Sequence, residues 1–304
     1  MNFENGVYTV LMTPFLNGAI DYESYDKLIE HQMNSNITGV VVLGTTSESS
    51  TLGELEKLEL VQFVYNRLGN TNKKIIIGIG GNNTIDTLNF AEIVKNYCDY
   101  MMVTVPNYNK PSQKGIYEHF KFICSNDLVA DKPFILYNIP SRTGVNMLPE
   151  TVAQLYNDNN NIVAIKEASG DINQIMEIRT LCNIKVFSGD DLMTIPVSSI
   201  GGCGTISVLS NILPNEMMNL YNMCANYNYN IAYEVHKHMH KLIKSLFIES
   251  NPVPGKVLLN HINLFESSSV RLPLVEMDDD KRNKIINIYN SFINNILINQ
   301  NNLN

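Results

Sequence analysis

The chain has 304 residues, 44% of them hydrophobic, and carries 22 Lys and Arg against 30 Asp and Glu, for a formal charge of −8. That apolar content is ample for a core, and the acid excess excludes the clustered basic surface that a nucleic acid requires. No apolar run approaches the roughly 20 residues of a membrane-spanning helix, and the length fits either two average domains or one barrel with an addition.

The N-terminal MNFENGVYTVLMTPF has no basic segment ahead of an apolar one, so it reads as a first strand rather than a signal peptide. The cysteines at 98, 124, 182, 203 and 224 are odd in number and form no C-x-x-C pair. They fit reduced thiols in a cytoplasmic compartment. Cys98, Cys124 and Cys182 fall in helical patterns and read as small core residues.

Short apolar runs then alternate with helical patterns. GVYTVLM (6–12) is a strand pattern, followed by a helix from about Tyr22 to Ser35 with Asp21 as its N-cap. GVVVL (39–43) is a buried strand ending in Gly44-Thr45-Thr46, and a helix runs from Glu54 to Leu68. KIIIGI (74–79) is the third strand, with Thr84 capping a helix to Tyr97. YMMVTV (100–105) is the fourth, and its helix starts near Ser112. FILY (134–137) and IVAI (162–165) are the fifth and sixth, separated by a helix over Pro149–Tyr156. Asp171 caps the sixth helix, KVFS (185–188) is strand seven, a helix spans Leu192–Ile200, and TISV (205–208) is strand eight.

Eight strand-then-helix rounds predict a parallel sheet closed as a (β/α)8 barrel. An open doubly wound sheet would carry a G-x-G-x-x-G turn after the first strand; here that turn reads TPFLNG. The glycines of GIGGNN (78–83) follow strand three without that spacing and read as a tight barrel loop. Beyond Pro214 the strand pattern stops, and helical segments follow at Asn215–Ala225, Ile231–Phe247, Lys256–Asn263 and Asp279–Ile298. The expected division is a catalytic barrel over 1–228 and a helical domain over 229–304.

In such a barrel the active site lies at the C-terminal strand ends. The FILY and IVAI runs stop at Tyr137 and Lys166. An apolar strand end disfavours a charged ammonium, and a neutral amine is the form that attacks a carbonyl to make a Schiff base. A lone lysine there could equally snorkel into solvent. Thr45 and Thr46 end strand two, Gly189 ends strand seven, and Ile206 lies on strand eight. Arg142, in the loop after strand five, has the planar fork that grips a carboxylate. Glu167 points away from Lys166 along the strand and reads as structural. His236 and His240 are four apart on one helix, but their lysine neighbours and missing third ligand favour a solvated face over a metal site. No G-x-S-x-G elbow surrounds a serine.

YNIPSRTG followed by IVAIKEASG resembles the dihydrodipicolinate synthase and N-acetylneuraminate lyase family of lysine Schiff-base aldolases. GTTSESSTL, VPNYNKPSQKG, FSGDD, GTISV, NPVPGK and RLPL fall in the family's order, so the likeness spans Gly6 to Leu274. The resemblance implies that Lys166 forms an imine with pyruvate. It implies a proton relay of Tyr137, Thr45 and Tyr108, with Tyr108 supplied by a neighbouring subunit. Thr46, Gly189 and Ile206 would line the substrate site, and Arg142 would hold the carboxylate of L-aspartate 4-semialdehyde. The arginine of SRTG points to the synthase side of the family, whose product feeds lysine and diaminopimelate synthesis. A lyase cleaving a 2-keto sugar acid, or an inactive ligand-binding barrel, are the other readings. The resemblance further implies a homotetramer built as a dimer of dimers, with no cofactor, metal, nucleic acid or membrane.

Three positions depart from the pattern. Ser47 replaces a glycine in GTTSE, which carries strain if that residue has positive φ. Asn107 precedes Tyr108 where two tyrosines are frequent, and Gly255 stands in NPVPGK where a β-branched residue is common. In lysine-inhibited members of the family a subunit cleft holds the amino acid. Here that cleft offers Asp86 and Asn82 but has Asn107 in place of an aromatic, with Glu54 and Lys57 on its helix. Weak or absent inhibition by lysine is expected.

Overall fold

The computed structural model describes residues 3–301, with side chains through residue 295. Eight parallel strands close into a barrel: β1 (Gly6–Val10), β2 (Gly39–Val42), β3 (Lys74–Gly78), β4 (Tyr100–Thr104), β5 (Phe134–Asn138), β6 (Ile162–Glu167), β7 (Lys185–Ser188) and β8 (Gly204–Ser207). Each pairs with its sequence neighbour, and β1 closes the ring on β8. The expected (β/α)8 barrel with C-terminal helices is what forms.

The strands alternate as a closed barrel demands. Tyr8, Val41, Ile76, Met102, Ile135, Ala164, Phe187 and Ile206 make one inner cluster. Val7, Val40, Val42, Ile75, Ile77 and Leu136 face outward into the larger core beneath the helices. Phe3 plugs the N-terminal end, stacked on Tyr8 at 5.0 Å and edge-on to Tyr100 and Phe187 at 4.6 and 4.7 Å. The floor is thereby sealed with aromatic area, which leaves the C-terminal rim as the open end.

The outer helices are α1 (Tyr22–Met33), α2 (Glu54–Leu68), α3 (Thr84–Val94), α4 (Gln113–Cys124), α5 (Pro149–Asp158), α6 (Ile172–Leu181), α7 (Thr194–Ser199) and α8 (Pro214–Ala225). The Asp21 carboxylate caps α1 by accepting from the Ser24 N–H at 3.1 Å, and Asp171 caps α6 through Asn173 and Gln174. Thr84 is not the cap of α3. Asn83 accepts the Ile85 N–H at 3.0 Å, and the Thr84 hydroxyl instead meets His119 Nδ1 at 2.8 Å. That helix ends at Val94, with a 3-10 turn over Lys95–Tyr97. The segment before α7 is likewise a 3-10 turn, Asp191–Met193. Cys124 is buried at the end of α4, whereas Cys98 and Cys182 lie half-buried just past helix ends, and all five thiols are free.

Sequence periodicity misses a two-residue hairpin, Phe15–Leu16 with Ala19–Ile20. Its turn is Asn17-Gly18, both with positive φ (52° and 82°), the pairing a type I′ turn prefers. The C-terminal helices are α9 (Tyr229–Ser245), α10 (Val253–His261) and α11 (Asp279–Asn301), and the hairpin seats the Phe15 ring against Lys256 of α10 and against Arg271. The absent side chain at Gly255 has a cause here, because a Cβ there would lie 2.1 Å from Met12 Cε. Met12 fills the space that a β-branched residue would claim. Among the described residues no helix is long and apolar enough to cross a membrane.

Candidate active site

Lys166 and Tyr137 are register partners across β5 and β6. Both share the inner face with Ile135 and Ala164, two residues earlier on their strands. Lys166 is 5% exposed, and its Nζ lies 4.1 Å from the centre of the Tyr137 ring. Among the described residues Lys166 Nζ has no ion pair and no hydrogen bond; the aromatic face is its only polar company. The amine is thus buried beside an open strand end and held by a ring rather than by a carboxylate.

Gly189 follows β7 directly beside this amine. A Cβ there would sit 2.7 Å from Ala168 Cβ and 3.0 Å from Lys166 Cε. Any side chain would crowd the lysine, so glycine leaves space around its amine end. Ile206 on β8 is fully buried in the same inner cluster and forms its apolar wall.

Glu167 points outward, as the strand alternation requires. Its carboxylate accepts from Asn138 Nδ2 at 3.0 Å, Gln174 Nε2 at 3.1 Å and the Ser169 N–H at 2.7 Å. Asn146 joins the same network through Asn138 and Gln174. Burial pushes the Glu167 carboxyl up in pKa, against the opposing pull of those donors. These bonds fix the end of β6 next to Lys166. Asp190 and Asp191 are also structural: Asp190 caps its 3-10 turn, and Asp191 accepts the Val208 and Leu209 N–H groups at 3.1 and 2.9 Å. The turn after β7 is thereby tied to the end of β8.

Thr45–Ser47 forms a 3-10 turn directly after β2. Thr45 lines a cavity of about 420 Å³ at the rim, together with Ser49, Lys57, Asn82, Asn107 and Arg142. Thr46 is buried, and its hydroxyl accepts from Asn251 Nδ2 at 2.8 Å. Ser47 does not have positive φ, so the conditional strain falls away; the left-handed residue is Glu48, at 53°. The Ser47 hydroxyl instead donates to the Leu11 carbonyl at 2.6 Å, and Thr13 donates to the Ser47 carbonyl. Serine here pins the turn to the segment after β1.

Arg142 sits in a single helical turn, Pro140–Thr143, with its side chain exposed and without an ion-pair partner among the described residues. Tyr108 is 90% exposed on the loop after β4, at φ 68°, so it faces solvent rather than the barrel of its own chain. Among the described residues no hydrogen bond joins the hydroxyls of Tyr137, Thr45 and Tyr108. The single chain brings Lys166, Tyr137, Gly189 and Ile206 together. It places Thr45 and Arg142 on the rim cavity, whose lining includes none of those four, and leaves Tyr108 exposed.

One set of contacts near the site was not read from the sequence. Glu48, in the turn after β2, forms a buried ion pair with Lys256 of α10, and its second oxygen accepts the Arg271 N–H at 3.0 Å. Both partners fall in the NPVPGK and RLPL motifs, which were visible but carried no assigned role. Among the described residues no group of three or more His, Cys, Asp or Glu is placed to hold a metal.

A sequence model described as the dihydrodipicolinate synthetase family matches residues 3–291. The chain belongs to that family. It is 40% identical over 283 residues to the 4-hydroxy-tetrahydrodipicolinate synthase of Endomicrobium trichonymphae, covering 92% of this chain and 96% of the relative. The crystal structure of dihydrodipicolinate synthase from Aquifex aeolicus superposes with a TM-score of 0.91 at 37% identity, over 95% of this chain and 98% of that one. That of the Cyanidioschyzon merolae enzyme with lysine bound gives 0.92 at 33% identity, over 96% and 99%.

Proposed function

We propose that this member of the family condenses pyruvate with L-aspartate 4-semialdehyde through a Schiff base on Lys166, giving 4-hydroxy-tetrahydrodipicolinate for lysine and diaminopimelate synthesis. The observation that carries the proposal is the buried Lys166 amine on the rung of Tyr137, without an ion pair or hydrogen bond among the described residues and beside Gly189. The names of the relatives support it. Lys166 Nζ attacks the keto carbon of pyruvate and water leaves. The protonated imine draws electrons, so the methyl carbon loses a proton and becomes an enamine. The enamine carbon attacks the aldehyde of the second substrate. The amine of that substrate then adds to the imine carbon, which closes the ring and frees Lys166.

Tyr137 is the group placed to move protons at the imine, and Thr45 extends the relay toward the rim. Positioned proton transfer is worth roughly 10² to 10⁴ in rate. Thr46 and the amides of its turn receive the pyruvate carboxylate, with Ile206 and Gly189 shaping the pocket. Arg142, exposed at the rim cavity and without an ion pair among the described residues, receives the carboxylate of the second substrate. That cation favours aspartate semialdehyde over a 2-keto sugar acid. Intact Lys166, Tyr137 and Thr45 argue against an inactive barrel.

The exposed Tyr108 completes the relay of a neighbouring subunit, in a dimer that pairs into a tetramer. Mixing Tyr108→Phe chains with Lys166→Ala chains should then restore activity once hybrids form; hybrids without activity would remove this part of the reading. The barrel over 1–228 supplies the chemistry and 229–304 supports it. We place the enzyme in the cytoplasm, in keeping with its free thiols. The deciding experiment is borohydride reduction with pyruvate followed by peptide mass spectrometry. The adduct is expected on Lys166; an adduct elsewhere, or none, would overturn the Schiff-base reading.

A further inference from the structure

The turn that carries Thr45 and Thr46 is not self-supporting. Two non-glycine residues bracket it in the left-handed region, Leu43 at φ 59° and Glu48 at 53°. Such residues persist only where the surroundings over-determine them. On the barrel side the Ser47 hydroxyl and carbonyl are anchored to Leu11 and Thr13. The remaining anchors come from the C-terminal region. Lys256 and the Arg271 N–H hold the Glu48 carboxylate, and Asn251 Nδ2 donates to the Thr46 hydroxyl at 2.8 Å.

A threonine hydroxyl has one proton and two lone pairs. With a lone pair engaged by the Asn251 amide, its proton is directed elsewhere. Asn251 and Thr46 are both buried, so water does not compete for that arrangement. A hydroxyl whose proton is fixed is a preset donor to an anion, and no reorientation is needed when one arrives.

We propose that Asn251 is a positioning residue for the reaction. From outside the barrel it holds the Thr46 hydroxyl as a donor to the pyruvate carboxylate. This deepens the Schiff-base reading and rests on it. Asn251 touches no reacting atom; it acts through Thr46, so its loss weakens the capture of pyruvate and leaves the chemical steps in place.

The test measures borohydride trapping and steady-state turnover against pyruvate concentration in the full-length enzyme. Asn251→Ala should raise the half-saturating pyruvate about three- to tenfold, as the loss of one neutral hydrogen bond requires, with kcat within about twofold. Asn251→Asp nearly keeps the volume but offers only acceptors when ionised. It pulls the Thr46 proton out of the site and should raise half-saturation further than the alanine does. In a Thr46→Val background Asn251→Ala should change half-saturation less than twofold, because the group it acts through is gone. If the alanine variant does not fold by circular dichroism, Asn251→Asp and Thr46→Val decide between the outcomes. Additive effects of the two sites, an aspartate variant that binds pyruvate as well as the unaltered enzyme, or a fall in kcat at unchanged half-saturation would each overturn the proposal. Absence of trapping in the unaltered enzyme would overturn the Schiff-base reading, and this inference with it. Trapping with half-saturation unmoved by the Asn251 variants overturns the inference alone.

Discussion

The end of β6 and the start of α10 each bury a lysine. Lys166 is 5% exposed with its Nζ 4.1 Å from the Tyr137 ring centre; Lys256 is 0% exposed with its Nζ 4.1 Å from that of Phe15. Burial and the aromatic contact are therefore shared and do not separate the two. What separates them is the rest of the company. Lys256 has the Glu48 carboxylate and donates to the Ser269 carbonyl at 2.9 Å, so its charge is matched inside the protein. Even so, burial pulls its pKa down to about 8. Among the described residues Lys166 has neither a carboxylate nor a carbonyl partner. We read the matched lysine as holding the fold together and, on the proposed function, the unmatched one as kept for a substrate.

The same substitution at both sites should break the chain in two different ways. Lys166→Met keeps the aliphatic stem and removes only the amine. Condensation should fall about a thousandfold or more, as loss of a covalent nucleophile demands, and pyruvate trapping should disappear. The unfolding midpoint should hold or rise, since no partner is orphaned. A clear drop in stability would place Lys166 in the structural class. Lys256→Met strands the buried Glu48 carboxylate, which costs about 3–5 kcal/mol. At roughly 2–4 °C per kcal/mol for a chain of this size, calorimetry should show a midpoint about 10 °C lower. Below that temperature pyruvate should still be trapped on Lys166. Adding Glu48→Gln should recover most of the loss, and failure to recover would mean that the ion pair is not what Lys256 supplies.

Much of this contrast was legible before the structure. Alternation of short apolar runs with helical patterns is a local signal, and it located eight strands and their C-terminal ends. Side-chain period put Glu167 on the face opposite Lys166, because one residue along a strand reverses the face. Contacts between segments far apart in the chain were not legible. Glu48 meets Lys256 and Thr46 meets Asn251 across about two hundred residues, and no periodicity encodes such a meeting. The misassigned cap at Thr84 has a similar origin. Its hydroxyl was free to cap α3 locally, but His119 on α4 claims it, and Asn83 takes the role. The 3-10 turn at Thr45–Ser47 likewise placed the left-handed strain on Glu48 rather than on Ser47.

Arg142 extends the comparison to an exposed cation without a carboxylate partner among the described residues. If unmatched cations serve ligands, Arg142→Ala should damage only the step that brings in the second substrate. Loss of one charge-assisted carboxylate contact costs roughly 1.5–3 kcal/mol, or about one to two powers of ten in kcat/KM for aspartate semialdehyde. Trapping of pyruvate on Lys166 should survive unchanged. A wild-type preference for neutral aldehydes over aspartate semialdehyde would remove the ligand role from Arg142 and favour the sugar-acid reading.

Lys57 is another cation without an ion pair among the described residues, and its expected effect is the smallest of those predicted. It lines the rim cavity with Asn82 and Asn107, and no ion pair engages it among the described residues. Asn82 is occupied there, since its amide donates to the Asn107 carbonyl and to Asn109 Oδ1. Asp86, the acid that an incoming ammonium would use, already accepts from Asn83 Nδ2 at 2.7 Å. A free lysine entering this cavity would meet the like charge of Lys57. It would also lack the aromatic wall that Asn107 replaces, an exposed cation–π contact worth about 0.5–1 kcal/mol. Turnover should therefore be insensitive to sub-millimolar lysine. Lys57→Ala should remove the repulsion and raise whatever affinity for lysine the cleft retains, seen as the onset of partial inhibition at lower lysine concentration. Strong inhibition of the unaltered enzyme at sub-millimolar lysine would show that Lys57 is turned away from the ligand, and the rule drawn from the two buried lysines would then stop short of the rim.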